Sequence, residues 1–213
     1  ENSVITINNT SELIDAIKNQ KDGQTWIIAS GEYDVTEVSN GQSGSCFIIE
    51  KDNITIEAYD KNNKPVIYGF SSAAAGTANG INGQNTITVS GNNCIIKNLE
   101  IMPLAGFGSN SNRYQKALEV TGNDSFTLMG CEFMENTFNH NGENNLTEGY
   151  AGQVSLNLPN GNAETVKVLN NIFTGAVLDP RTPLTAKGNV FNGVSPVHKM
   201  SVRSRFQNGT AHK

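Results

Sequence analysis

The sequence predicts an all-β chain wound into a solenoid of short strands, closed at its start by one helix. Three observations carry this. Four stretches overlay: CIIKNLEIM (94–102), FTLMGCEFM (126–134), VKVLNNIFT (166–174) and LTAKGNVFN (184–192). In each, a short apolar run meets a small or polar break, and a second run ends on Ile101, Phe133, Phe173 or Phe191. The spacing between units is unequal although their internal grammar is constant, as in a coil whose loops vary in length. The composition agrees: charged residues make up only 16%, there are 21 glycines, and asparagine is more numerous still. Such chains suit many tight turns and few helices.

Residues 11–19 (SELIDAIKN) form the one convincing helix. Thr10 or Ser11 can cap it, and Leu13, Ile14 and Ile17 make a narrow apolar stripe. An open solenoid end would expose core and strand edges, so this helix is expected to cover the first coil. Strands then come in groups. A partial coil holds 26–28 and 33–35, broken at Gly31. Fuller coils hold 46–49, 54–57 and 66–68; 86–89, 94–97 and 100–102; 116–120, 126–129 and 132–134; 153–158, 166–169 and 172–174; 177–179, 184–186 and 190–192. Pairing successive coils in register gives three parallel sheets.

The corners after each first strand match as EKDN, SGNN, TGND, PNGNAET and PRTP. Glycine and asparagine supply the left-handed backbone such corners need. Asn171 and Asn189 share a corner column where side chains can stack, but Leu99 and Cys131 hold that column earlier, so an asparagine ladder there is incomplete. Another corner takes the long Gly-, Asn- and Ser-rich connections 36–45, 69–85, 103–115 and 135–152. Long loops gathered on one side of a regular scaffold commonly carry binding. One domain is expected over 1–213: a cap over 1–24, coils over 25–193, and a basic tail over 194–213 that serves as a second cap or a linker.

This grammar resembles the right-handed parallel β-helix of the pectate-lyase-like superfamily. The opening SELIDAIKNQKDGQTWIIASGEYDV looks like the start of many of its members, and N-N-x-F at 170–173 and G-N-x-F at 188–191 resemble their repeats. The resemblance implies a substrate groove along the first sheet, flanked by the long loops. It carries over no catalytic residue. Residues 154–162 (VSLNLPNGN) have neither Arg nor His where the alginate and chondroitin lyases carry both, and no polygalacturonase-type Asp-Asp pair is present.

The groove residues follow from strand alternation. With Val89 and Val120 inward, Glu119 faces out; with Val154 and Leu156 inward, Ser155 and Asn157 face out. Elimination from a uronate needs a neutralised carboxylate and a base for the C5 proton. Arg113, Lys116 and His140 are the candidate catalytic groups. Glu119, Tyr114, Tyr150, Ser155, Asn157 and Arg181 are the candidate substrate-binding groups, with tyrosines able to stack on sugar faces. Glu135 and Glu148 are the candidate ligands of a Ca²⁺ cofactor. Two functions follow: a polysaccharide lyase acting on a uronic-acid glycan, or a non-catalytic carbohydrate-binding or adhesive module.

A net charge of −5 at pH 7 gives no nucleic-acid footprint, and no stretch reaches a membrane-spanning length. The start at Glu1 reads as a mature end, so a secreted or cell-surface monomer with a polysaccharide partner is expected. Cys46, Cys94 and Cys131, an odd set within apolar runs, are expected to be core thiols.

Overall fold

The computed structural model describes residues 3–35, 47–68, 85–102, 116–134, 153–174 and 178–192. It begins with β1 (Val4–Ile7) and α1 (Thr10–Lys18), followed by β2 (Thr25–Ile28) and β3 (Glu32–Asp34). Five coils of three strands follow. They are β4 (Phe47–Ile49), β5 (Thr55–Ala58) and β6 (Val66–Tyr68); β7 (Asn85–Val89), β8 (Cys94–Lys97) and β9 (Glu100–Met102); β10 (Lys116–Val120), β11 (Phe126–Met129) and β12 (Glu132–Met134); β13 (Gln153–Leu156), β14 (Val166–Leu169) and β15 (Ile172–Thr174); and β16 (Leu178–Pro180), β17 (Thr185–Lys187) and β18 (Val190–Asn192).

Every strand pairing is parallel, and each of these five coils contributes one strand to each of three sheets. Sheet A runs β1-β2-β5-β8-β11-β14-β17, sheet B runs β3-β6-β9-β12-β15-β18, and sheet C runs β4-β7-β10-β13-β16. The chain visits C, A and B in turn. This is the parallel β-helix expected, with the single helix of the described residues at its start. The connections 36–46, 69–84, 103–115 and 135–152 all run from a sheet B strand to a sheet C strand.

Alternation fills the interior with stacked columns. Ile101, Phe133, Phe173 and Phe191 occupy one register column of sheet B. Phe133 stacks on Phe173 with ring centroids 5.2 Å apart, and Phe173 on Phe191 at 4.8 Å. Trp26, Ile56, Ile96, Leu128, Val168 and Ala186 form the matching column of sheet A. All six are buried. Cys94 and Cys131 are free, buried thiols within this core, and Cys46 lies outside the described residues.

The helix touches β1, β3 and β4, so it packs against the first strand of each sheet and covers that end of the coil. Leu13, Ala16 and Ile17 are its buried residues. Two expectations are corrected. The cap is Asn9, whose Oδ1 accepts the Glu12 amide at 2.9 Å, rather than Thr10 or Ser11. Its extended backbone places Oδ1 over the first turn, while Thr10 is already helical. Strand β1 is an addition to the expected coils. It pairs with β2 and gives sheet A one strand more than the coil pattern requires.

The inner corner column is a short ladder. Asn171 Oδ1 accepts the Cys131 amide at 2.9 Å, and Asn189 Oδ1 accepts the Asn171 amide at 2.9 Å. Asn189 Nδ2 donates to the Val168 carbonyl and Asn171 Nδ2 to that of Leu128. Cys131 stands at the next place, its Sγ 3.7 Å from the equivalent Ile96 carbonyl. A thiol can hold this station only as a weak donor.

Candidate functional site

The outer face of sheet C presents side chains in rows set by register. Ile48, Thr88, Glu119 and Ser155 share one row across β4, β7, β10 and β13. Inward neighbours Val89, Val120 and Leu156 fix the alternation, each fully buried. Glu119 is half-buried, whereas Ser155 is only 2% exposed. Strands lie about 4.8 Å apart, so a carboxylate and a hydroxyl sit one strand spacing from each other.

Two residues further along, the pairing continues past the strand ends. The amides of Ser90, Thr121, Asn157 and Arg181 donate to the carbonyls of Ile49, Val89, Val120 and Leu156, at 2.7–2.9 Å. These four form a second outer row, and all are exposed. A guanidinium thus stands beside a carboxamide, one pleat beyond the Glu119–Ser155 row. Hydroxyl, carboxamide, carboxylate and guanidinium groups at strand spacing can hydrogen-bond a polyhydroxylated chain, and an arginine fork matches a carboxylate.

Toward the start of the strands, Lys116 pairs with Asn85 on one side and Gln153 on the other. The register slips between Lys116 and Leu118 against β13, so Ala117 is an extra residue there. Such a bulge bends the strand and re-aims neighbouring side chains. Thr86 lies beside Ala117 on the same outer face, and both are buried. Among the described residues, Thr86 Oγ1 has no hydrogen-bond partner. Thr86 and Thr88 also belong to this face, where strand alternation from the sequence places both.

The structure therefore brings Lys116, Glu119, Ser155, Asn157 and Arg181 together on sheet C and its immediate continuation. Arg113, Tyr114, Glu135, His140, Glu148 and Tyr150 lie outside the described residues. Glu135 and Glu148 are the proposed Ca²⁺ ligands. Among the described residues, no three His, Cys, Asp or Glu side chains gather as a metal site.

Among the described residues, the other titratable groups offer no competing centre. Burial pushes the Cys94 thiol up to about 11 and that of Cys131 to about 12, so both are protonated at neutral pH and neither is a nucleophile. Glu100 and Glu132 are neighbours on the outer face of sheet B. Burial, and then the Glu132 charge, raise the Glu100 carboxyl above its usual range, against a lowering by Lys64. Among the described residues no helix is long and apolar enough to cross a membrane.

No protein-family model and no curated protein matches the sequence. Two solved structures are similar in backbone. Pectin methylesterase PemA from Erwinia chrysanthemi aligns at 14% identity and a TM-score of 0.41, over 84% of this chain and 54% of its own. Alginate lyase from Paenibacillus sp. str. FPU-7 aligns at 15% identity and a TM-score of 0.42, over 88% of this chain and 75% of its own. The chain thus spans about half the length of the first and three quarters of the second.

Proposed function

We propose that the protein acts outside the cell on a uronic-acid-containing polysaccharide held along the outer face of sheet C. One observation carries this reading: Glu119, Ser155, Asn157 and Arg181 lie on sheet C and its immediate continuation, the sheet into which the four longest connections lead. Each strand step offers one polar group to a chain laid across the strands.

The reaction assigned to this face is β-elimination. A base removes the C5 proton, its electron pair forms the C4–C5 double bond, and the C4–O bond breaks with O4 taking a proton. Arg181 pairs with the uronate carboxylate, which acidifies C5 by stabilising the developing carbanion. Lys116 is the assigned base, with Arg113 close to it in sequence favouring the neutral amine, and His140 supplies a second proton-transfer group. Glu135 and Glu148 would hold a Ca²⁺ ion, which would supply further charge neutralisation. Glu119 and Asn157 orient the sugar by hydrogen bonds, with Tyr114 and Tyr150 as stacking groups, while Ser155, buried beneath them, supports this face rather than touching the sugar.

A second reading, a non-catalytic carbohydrate-binding module, is favoured by the absence of Arg and His along residues 154–162. Incubation with pectate, alginate or a glycosaminoglycan, with Ca²⁺, separates the two. The lyase reading expects an ultraviolet-absorbing unsaturated product that disappears in Lys116→Met. The binding reading expects retardation in affinity electrophoresis without product. Neither product nor retardation on any uronan overturns both.

A further inference from the structure

The corner between sheets C and A carries a second ladder, and it is interrupted. Gly23, Asn53 and Asn93 are equivalent positions on three successive coils, all left-handed, with φ of 78°, 57° and 52°. Their backbones are linked in the same way: the Gly23 amide donates to the Asp52 carbonyl at 2.9 Å and the Asn53 amide to that of Asn92 at 2.8 Å. Asn93 Nδ2 donates to Asn53 Oδ1 at 2.8 Å. The next step would have Asn53 Nδ2 donate to a carboxamide at position 23. Glycine has none, and among the described residues nothing accepts from Asn53 Nδ2.

The place so vacated is an open depression of about 570 Å³ lined by Asp22, Gly23, Asn53, Thr55, Asn93 and Ile95. Asp22 holds the Asp52 amide with Oδ1 at 2.9 Å, and this leaves Oδ2 for another donor. Thr55 and Ile95 are in-register neighbours on the outer face of sheet A. The depression therefore offers a donor from Asn53, an acceptor from Asp22 and an aliphatic floor from Ile95. Its lining includes a carboxylate and no cationic side chain.

We propose that this depression is a binding site for a neutral sugar unit, separate from sheet C and independent of the function assigned there. One hydroxyl of a vicinal diol takes the place of the missing carboxamide and accepts from Asn53 Nδ2. Its neighbour donates to Asp22, and the C–H face of the ring packs on Ile95. Asp22 makes the site select against uronates, because a carboxylate brought to an unbalanced carboxylate is repelled.

The test is a titration of ¹⁵N-labelled protein, observed by NMR, with neutral gluco-, galacto- and manno-oligosaccharides and with an oligogalacturonate. Saturable shifts of the Asn53 side-chain amide and the Gly23 backbone amide are expected with at least one neutral sugar, and none there with the uronate. Gly23→Asn restores the ladder at a left-handed position that asparagine tolerates. It is expected to raise thermal stability while weakening the neutral sugar at least about tenfold, as loss of hydrogen bonds in this range predicts. Asp22→Ala, which leaves the corner glycine untouched, is expected to weaken binding comparably. Shifts that persist unchanged in both variants, a uronate shifting the same amides, or no shift with any neutral sugar would overturn the site.

Discussion

Two of the asparagine ladders among the described residues are built on the same coil spacing, and they differ in what water can do. Asn171 is fully buried in the inner column, where Asn189 is also buried, and each amide they serve has no solvent to turn to. Asn53 and Asn93 hydrogen-bond at 2.8 Å on an exposed corner. Identical chemistry therefore has unequal consequences. Removing a partner inside leaves desolvated backbone groups, whereas removing one outside substitutes water.

The largest expected effect is at Asn171. Replacing it with alanine strips the Cys131 amide and the Leu128 carbonyl of their partner, which costs about 3 kcal/mol in urea denaturation. A loss no greater than that of an exposed asparagine would break the contrast. Thr86→Val sharpens it from the opposite side. Thr86 Oγ1 is buried with no partner among the described residues, so an isosteric methyl raises stability by about 1 kcal/mol. Asn93→Gly keeps the left-handed turn and removes only the exposed ladder bond. It changes stability by about 0.5 kcal/mol or less.

The smallest effect is electrostatic. Glu100 is half-buried beside Glu132, and its folded carboxyl titrates above the unfolded value. The folded state therefore holds this proton more tightly. Its contribution is fully favourable below the unfolded pKa and is lost as pH rises through the folded one. Glu100→Gln is expected to flatten the stability profile in the weakly acidic range and leave strongly acidic behaviour unchanged. Urea midpoints across that range measure it.

The contrast also explains what can be read from the chain. Inward columns are legible because apolar side chains alternate with period two and recur at each coil, so Ile101 and Phe133 align from sequence alone. Strand β1 is not legible, because VITI leads into a helix and lacks the second run that marks a coil. The cap is ambiguous because Asn9, Thr10 and Ser11 are all good caps. The left-handed corner asparagines are legible in the Gly- and Asn-rich corners, but the bond between Asn53 and Asn93 depends on amide orientation, which no sequence pattern encodes. Alternation places Glu119 and Asn157 on the outer face. It does not give the burial of Ser155, since it tells which face a residue takes and not what covers it.

The central proposal is a uronan lying across the outer face of sheet C. Soaking crystals with an oligogalacturonate tests this most directly. Density crossing β10 and β13, with a carboxylate at Arg181 and hydroxyls at Glu119 and Asn157, is the result expected. Ordered uronate on the outer face of sheet B or A, with sheet C bare, would contradict it.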